Sequence, residues 1–465
     1  MEKTNPNVAN RTMFIRDNLD VLSGVNDSCI DLIYLDPPFN SNRNYAAPAG
    51  SKAAGASFRD AWTLDMIDEA WIEVIQAERP KLAALIEGIG EVNGNGDKSY
   101  LIFMARRLLE MHRVLKESGS IYLHCDPTMS HSLKLLMDSI FTKNNFRNEI
   151  MWRKTNSPKA QSSAFGEQHD IILYYTKSES FVFNKTHTKP DEKYLKSFSH
   201  EDERGRYQTI PLVAAGLQKS DGRKQFDFQG VKAPWLYGKK TLDEWWAAGL
   251  IVKTKEAYRK KSYLSDSKGK IVSDIWADDD VLPLQGRAKE STGYPTQKPL
   301  SLLERIIKAS SNENDLILDP FCGCATACVA AERLGRNWIG IDLSDKSVDL
   351  IRERLEAEEH LWRQVGKGKH IIPRDDLPER TDVDSLITDM RGHKDVLYGE
   401  CGGDCQGCKK HFEKRNLEID HKTPRSKGGS DTKGNLQLLC GSCNRIKGNR
   451  SHEYLHARLK ELKHI

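Results

Sequence analysis

The sequence predicts an α/β fold, a largely parallel sheet with helices on both faces, followed by a small metal-stapled domain. Three observations carry that expectation. A short apolar, partly β-branched run, Asp31-Leu32-Ile33-Tyr34-Leu35, reads as a buried strand that stops at the proline pair of Asp36-Pro37-Pro38-Phe39. Residues 315–342 read as strand, small-residue turn, helix and strand in succession. Near the end, Cys405-Gln406-Gly407-Cys408 and Cys440-Gly441-Ser442-Cys443 form two Cys-x-x-Cys knuckles separated by 31 residues.

The first strand places Asp36 at a carboxyl end, the edge of an open α/β sheet where ligands collect. There the Asp36 carboxylate can accept one hydrogen of an amino group and the Pro37 carbonyl another, leaving the nitrogen lone pair free to attack an electrophilic methyl. Pro37 and Pro38 have φ fixed near −65° and lack an N–H, so the turn is stiff. Phe39 offers a face on which an extruded base can stack. Ordinary strand-ending turn chemistry is an alternative that these four residues alone leave open. Phe14, Arg16 and Asp17 lie early enough in the chain to approach a bound cofactor, though nothing in the sequence requires it. Residues 45–99 read as an insertion after this strand, with a small-residue loop from Ala46 to Ala56 and helical portions.

The second unit begins with the strand ending at Asp319, turns through Pro320-Phe321-Cys322-Gly323-Cys324-Ala325, and continues as a helix through Ala331 that stops at Gly335. Its second strand, Trp338-Ile339-Gly340-Ile341-Asp342, ends 23 residues beyond Asp319. An acidic residue about 20 positions after a glycine turn takes ribose hydroxyls in nucleotide-binding α/β folds, and Asp342 fits that role. The turn lacks the full dinucleotide pattern. Paired with the Asp-Pro-Pro-Phe strand, it favours an adenosyl cofactor over a packing turn.

With these motifs in this order, the chain resembles the DNA amino-methyltransferases that use S-adenosylmethionine, in their β arrangement: catalytic motif first, target-recognition region next, cofactor motif last. Gly119-Ser120-Ile121-Tyr122-Leu123-His124-Cys125-Asp126-Pro127 and Thr292-Gly293-Tyr294-Pro295-Thr296-Gln297-Lys298-Pro299 match as well, the latter leading into a helix from Leu300, and the likeness spans about residues 10 to 360. The resemblance implies a Rossmann-like methyltransferase sheet with an inserted target-recognition region at about 151–270. It assigns amine chemistry to Asp36, Pro37, Pro38 and Phe39, and cofactor binding to Asp319, Phe321, Gly323, Asp342, Thr296 and Lys298. In base-modifying enzymes of this kind, loops after the catalytic motif close over the substrate, which implies that Asn40 to Tyr45 are mobile. Asp rather than Ser at position 36 points, within that family, to adenine N6 over cytosine N4. Ala325 departs from the family's glycine, and its Cβ is expected to crowd the methionine end of the cofactor or to bar positive φ.

Four thiolates on two knuckles suit a closed tetrahedral zinc site at Cys405, Cys408, Cys440 and Cys443, with Cys401 an alternative ligand or a spare thiol. Between the knuckles, Leu417-Glu418-Ile419-Asp420-His421-Lys422-Thr423-Pro424 and Gly434-Asn435-Leu436-Gln437-Leu438-Leu439 resemble the zinc-stapled HNH endonucleases over residues 401 to about 450. That resemblance implies a ββα-metal (HNH) domain in which His421 is the general base and Asn435 braces its loop. Asp420 and Asn444 would hold Mg²⁺ or a similar divalent cation. A zinc fold that only binds DNA is the alternative.

Charge distribution supports a nucleic-acid partner, and the resemblance implies that it is double-stranded DNA. The net charge is only +4, yet residues 401–465 carry fourteen Lys/Arg against seven Asp/Glu, and residues 151–270 carry 23 against 14. Trp235, Tyr237, Trp245, Trp246, Tyr258 and Tyr263 in the central basic segment suit either a DNA-reading surface or core packing. The expected organisation is a methyltransferase domain at 1–360, a polar linker at 361–400 with local helix around Asp382 to Met390, and a nuclease domain at 401–465. No run of about 20 apolar residues and no leader is seen, so a cytoplasmic protein without a membrane partner is expected, and a homodimer is left open.

Overall fold

A strand buried on both faces of a parallel sheet reads as a continuous apolar run, which is how Ile30–Leu35 and Leu316–Asp319 appear in the sequence. The computed structural model describes residues 5–64, 71–72, 74–76, 78–156, 163–214, 225–254, 257–284, 288–362, 370–382, 394, 397–398, 401–431 and 433–465. Its larger unit is built on a nine-stranded sheet. The strands are β1 Thr12–Ile15, β2 Ile30–Leu35, β3 Leu115–Cys125, β4 Phe146–Arg153, β5 His169–Thr176, β6 Ile275–Trp276, β7 Leu316–Asp319, β8 Asn337–Asp342 and β9 Ile372–Arg374. Their order across the sheet is β6-β4-β5-β3-β2-β7-β8-β1-β9, and β5 alone runs against its neighbours. From β2 the chain moves outward to β3, and from β7 it moves the other way to β8, so a crevice opens between the carboxyl ends of β2 and β7.

Alternation sorts the sheet residues between two helical layers. Ile33, Leu35, Leu316, Leu318, Ile339 and Ile341 join one core cluster with α1 Asn18–Ser23, α2 Pro80–Asn93, α3 Asn95–Val114 and α4 Ser130–Phe141. Leu32, Tyr34, Ile317 and Trp338 are buried outside that cluster, and α6 Thr326–Arg333 packs on β7 and β8 between α5 Leu300–Ser310 and α7 Lys346–Trp362. Helices thus cover both faces, as expected. Gly340 in β8 lets the layers close: a Cβ there would fall 2.7 Å from both the Cys322 and Met13 sulfurs.

The sheet also takes in part of the segment expected as linker. β9 pairs in parallel with β1, Leu377 is buried in the core, and Asn26 and Asp27 hydrogen-bond Thr381 and Asp382. Continuous apolar periodicity is absent from residues 371–382, so the sequence gives no strand signal for an edge strand of three residues. The local helix expected from Asp382 to Met390 lies almost wholly outside the described residues.

The second unit, Lys185–Val272, is narrower than the expected target-recognition region because β4 and β5 belong to the main sheet. It holds a four-stranded antiparallel sheet, a hairpin and the helix Lys239–Ala247 around Leu212, Phe228, Ala233, Trp235, Leu242 and Tyr258. Its aromatics divide: Trp235, Tyr258 and Tyr263 are buried, whereas Tyr237 and Trp246 are exposed. Among the described residues no helix is long and apolar enough to cross a membrane.

His112 in α3 packs edge-on against Phe141 of α4, with ring centroids 5.0 Å apart. Burial, with the charges of Lys177 and Arg79, pushes its imidazole down to about 4. An unfolded histidine takes its proton near pH 6.5, so this group's contribution is complete above that pH and is lost as pH falls toward 4. A single proton caps the slope at about 1.4 kcal/mol per pH unit, and solvent screening of this partly exposed ring keeps it lower. His112→Phe is expected to flatten the fall in melting temperature between pH 6.5 and 4, and an unchanged profile would refute this.

Candidate functional site

The crevice widens into a cavity of about 500 Å³ whose wall includes Asp36, Pro37, Pro38 and Phe39 after β2, Asp319, Phe321 and Gly323 after β7, and Asp342 after β8. Thr296 and Lys298 from the segment before α5 complete the set, so the structure brings together every candidate residue of the first domain. Lys298 Nζ reaches both oxygens of Asp36, at 2.9 and 2.6 Å, and sits 5.3 Å from the centre of the Phe39 ring. Phe39 stacks at 18° on His124, with centroids 5.9 Å apart. Behind it runs a buried polar chain: Tyr34 Oη to His124 Nδ1 at 3.0 Å, His124 Nε2 to Asp170 at 3.2 Å, and Lys154 to Asp170 at 2.9 Å. Burial works against the Asp170 charge, but the His124 hydrogen bond and the nearby His124, Lys298 and Lys154 charges outweigh it and hold the carboxyl below its ordinary range.

Asp319 and Asp342 are carboxylates in a different setting. Burial pushes Asp319 well up, the Asp36 and Asp342 charges add to this, and the Phe321 N–H, 3.2 Å away, opposes it. Burial also raises Asp342, whose oxygens accept from Gly323 N–H at 2.7 Å and Ser344 N–H at 2.8 Å. Gly323 has φ +50°, and a Cβ there would meet the Tyr294 ring at 3.0 Å. Ala325 does adopt the left-handed conformation, φ 60° and ψ 34°, directly before α6, and it is not part of the cavity wall. Its Cβ therefore costs about 1–2 kcal/mol of backbone strain rather than cavity space. Acidic groups for sugar hydroxyls beside the apolar faces of Phe103, Phe321 and Tyr294 fit a nucleoside-bearing cofactor.

The loop expected to be mobile is tied down. Asp60, 1% exposed, accepts from Asn40 N–H at 2.7 Å, Ser41 N–H at 2.9 Å and Ser41 Oγ at 2.6 Å. Asn40 in turn donates to Asp97 at 2.8 Å, and the hairpin Arg43–Ala46 with Ser57–Asp60 stacks Tyr45 on Phe58. Composition of the small-residue loop gave no sign of this anchor, because a single distant carboxylate supplies it. Arg16 and Asp17 line the cavity, whereas Phe14 is core. Asn18 and Arg107 were not legible as site residues. Arg107 makes two hydrogen bonds to Asp17, at 2.9 and 2.7 Å, and one to Asn18 at 2.6 Å, while Asn18 donates to the Pro320 carbonyl.

In the tail, Leu417–His421 (β10) pairs antiparallel with Leu436–Cys440 (β11), and Gly441–Lys447 (α8) follows. The sulfurs of Cys405, Cys408, Cys440 and Cys443 all lie within 4.8 Å of one another. Tetrahedral zinc with bonds of about 2.3 Å needs sulfurs roughly 3.8 Å apart, so the set fits that ion with little movement. Cys401 stands outside the cluster and points to the Tyr398 carbonyl. Asn435 accepts from Thr423 N–H and donates to the Thr423 and Ser430 carbonyls, which ties together the loop after His421. His421 Nε2 lies 2.6 Å from Asp431, which also meets Arg425. Asp420 pairs with Gln437 at 2.8 Å and with buried Lys447 at 3.1 Å, whereas Asn444 donates to Glu418 at 2.6 Å. The two expected cation ligands are thus engaged by different partners.

A family model described as DNA methylase matches residues 30–353, well over half of the chain. The chain belongs to this DNA methylase family. Residues 405–450 match the HNH endonuclease model. The type II methyltransferase M.EcaI of Enterobacter cloacae is 35% identical to this methylase over 56% of this chain and 58% of its own length. The StyLTI Mod subunit of a type III restriction-modification enzyme from Salmonella typhimurium is 26% identical over 68% and 49% respectively. The chain therefore spans only about half the length of these two relatives. The DNA adenine methyltransferase YhdJ of Escherichia coli is 23% identical over 75% of this chain and 84% of its own. Among solved structures, an M1.HpyAVI–SAM complex aligns with 74% of this methylase and 98% of that chain at 16% identity, with a TM-score of 0.35.

Removing the loop anchor gives a direct check on the methylase site. Asp60→Ala is expected to speed hydrogen exchange of the Asn40 and Ser41 amides at least about tenfold while β2 amides keep their protection. Equal exchange in the two proteins would mean that Asp60 does not hold this loop.

Proposed function

We propose that this chain transfers a methyl group from S-adenosylmethionine to adenine N6 in double-stranded DNA, and that its tail is a zinc-stapled HNH nuclease. Together they form a cytoplasmic restriction-modification enzyme. One observation supports the reading: Asp36 and Phe39 line the same cavity as Asp319 and Asp342, so a group suited to hold an amine and groups suited to hold a nucleoside lie in one site. The bound cofactor would supply an electrophilic methyl on a sulfonium. Asp319 and Asp342, with Phe321 and Gly323, would hold its adenosyl part.

The protein's share is placement and charge. The Asp36 carboxylate and Pro37 carbonyl would each accept an amine hydrogen, turning the lone pair toward the methyl. As nitrogen bonds to the methyl carbon, the old carbon–sulfur pair stays with sulfur, and the cationic nitrogen then releases a proton to solvent. The negative charge of Asp36 favours the positive charge that develops on nitrogen. Phe39, backed by His124 and lining the cavity, would stack on the base, whose extrusion from the duplex costs a few kcal/mol. Asp at position 36 and the adenine methyltransferase relative favour adenine over cytosine.

In the tail, His421 would activate water and Asp420 and Asn444 would hold a divalent cation. A second reading, in which the tail only clamps DNA, draws support from the pairing of Asp420 with Lys447 and Gln437. Zinc on Cys405, Cys408, Cys440 and Cys443 serves either reading.

Incubation with labelled cofactor and mixed-sequence duplex DNA, followed by nucleoside mass spectrometry, is expected to yield N6-methyladenine that disappears in Asp36→Ala. N4-methylcytosine would replace the base assignment, and no methylated nucleoside would remove the reading. His421→Ala is expected to abolish Mg²⁺-dependent cutting while sparing methylation. Wild-type protein that cuts no DNA, methylated or unmethylated, would leave the clamp as the tail's role, and equal cutting of both would remove the restriction-modification role.

A further inference from the structure

The Asp36 carboxylate is already spoken for. Lys298 donates to both of its oxygens, at 2.9 and 2.6 Å, with its side chain only 8% exposed. The ammonium is steadied by the Thr296 carbonyl at 3.4 Å, and Thr296 itself holds a left-handed backbone, φ 63°. Asp36, Asp319 and Asp342 line one cavity, and the charges of Asp36 and Asp342 both add to the burial that raises Asp319. Lys298 is the cation placed against the one carboxylate that would have to hold the target amine.

Resting on the methyl-transfer reading, we propose that Lys298 is a positioning residue. It neutralises and occupies Asp36 until a cationic sulfonium enters the same wall, and then yields one or both oxygens to the amine, so that cofactor binding precedes capture of the base. Two like charges against one carboxylate repel, and a sulfonium brings the second. Freed of one hydrogen bond, Asp36 regains the acceptor that the amine requires. Without cofactor, an extruded base meets a carboxylate both of whose oxygens are paired with the Lys298 ammonium, which holds unproductive complexes down.

The test is calorimetric titration of the full chain with S-adenosylmethionine and with S-adenosylhomocysteine, which lacks the methyl and the sulfonium charge. In the wild type, Lys298 cancels much of the attraction of Asp36 for the sulfonium. Lys298→Met is therefore expected to raise the ratio of dissociation constants, thioether over sulfonium, by about tenfold. Lys298→Gln should do the same, so the result does not depend on how one variant packs, and Lys298→Arg should keep the wild-type ratio. Adding Asp36→Asn to Lys298→Met should cancel the rise. Equal weakening of both ligands in the uncharged variants would make Lys298 a plain cofactor contact and overturn the proposal, as would an unchanged ratio. Failure of the underlying reading is separate: the wild-type chain would then bind neither ligand.

Discussion

Three carboxylates held close together at one edge of a sheet are the constraint on which the site depends. Parallel strands end on the same side, so β2, β7 and β8 deliver Asp36, Asp319 and Asp342 to a common wall with no freedom to move apart. Crowded like charges in a partly dry cavity must be compensated. Each is met differently: Asp36 by the Lys298 ammonium, Asp342 by two backbone N–H groups, Asp319 by one N–H at the start of the next turn. The backbone donors are fixed with the fold, whereas Lys298 is a side chain on another segment and can move.

Rigidity is distributed around this wall according to use. Phe39 has one face covered by His124, itself held between Tyr34 and Asp170, so the ring is braced from behind where it lines the cavity. The loop that follows is fastened by the Asp60 carboxylate, which takes two backbone N–H groups and a hydroxyl at once. A buried carboxylate with several donors is stable only when all remain in place, which fixes the path of the chain at Asn40 and Ser41, just before the hairpin Arg43–Ala46 with Ser57–Asp60. Ala325 illustrates the opposite economy: its strained left-handed backbone is tolerated because the turn between β7 and α6 is determined from both sides.

The tail obeys a different rule. Residues 401–465 are too few to bury a large core, and Leu417, Leu436, Leu438, Leu439, Leu455 and Leu459 cluster around the cysteine sulfurs instead. The tail also touches the methylase side of the chain: a Cβ on Gly428, φ +78°, would fall 2.3 Å from Leu377, which belongs to the large core. Only glycine permits that approach. The turn that follows His421 is thereby packed against the segment that carries β9.

By itself the sequence determined the parts whose signal is local. Apolar runs ending at Asp36, Asp319 and Asp342 marked three strands, the glycine turn marked the crevice, and the knuckle spacing marked a thiolate cluster, because each depends on neighbours a few residues away. Tertiary structure alone decided the rest. Lys298 lies 262 positions from Asp36, Asp60 holds amides twenty residues before it, and β9 reaches β1 from the far end of the chain. Those contacts join single polar groups or a three-residue edge strand, which leave no periodicity to read. Their partners are chosen by where folding of the apolar core happens to bring them, and that choice has no local trace.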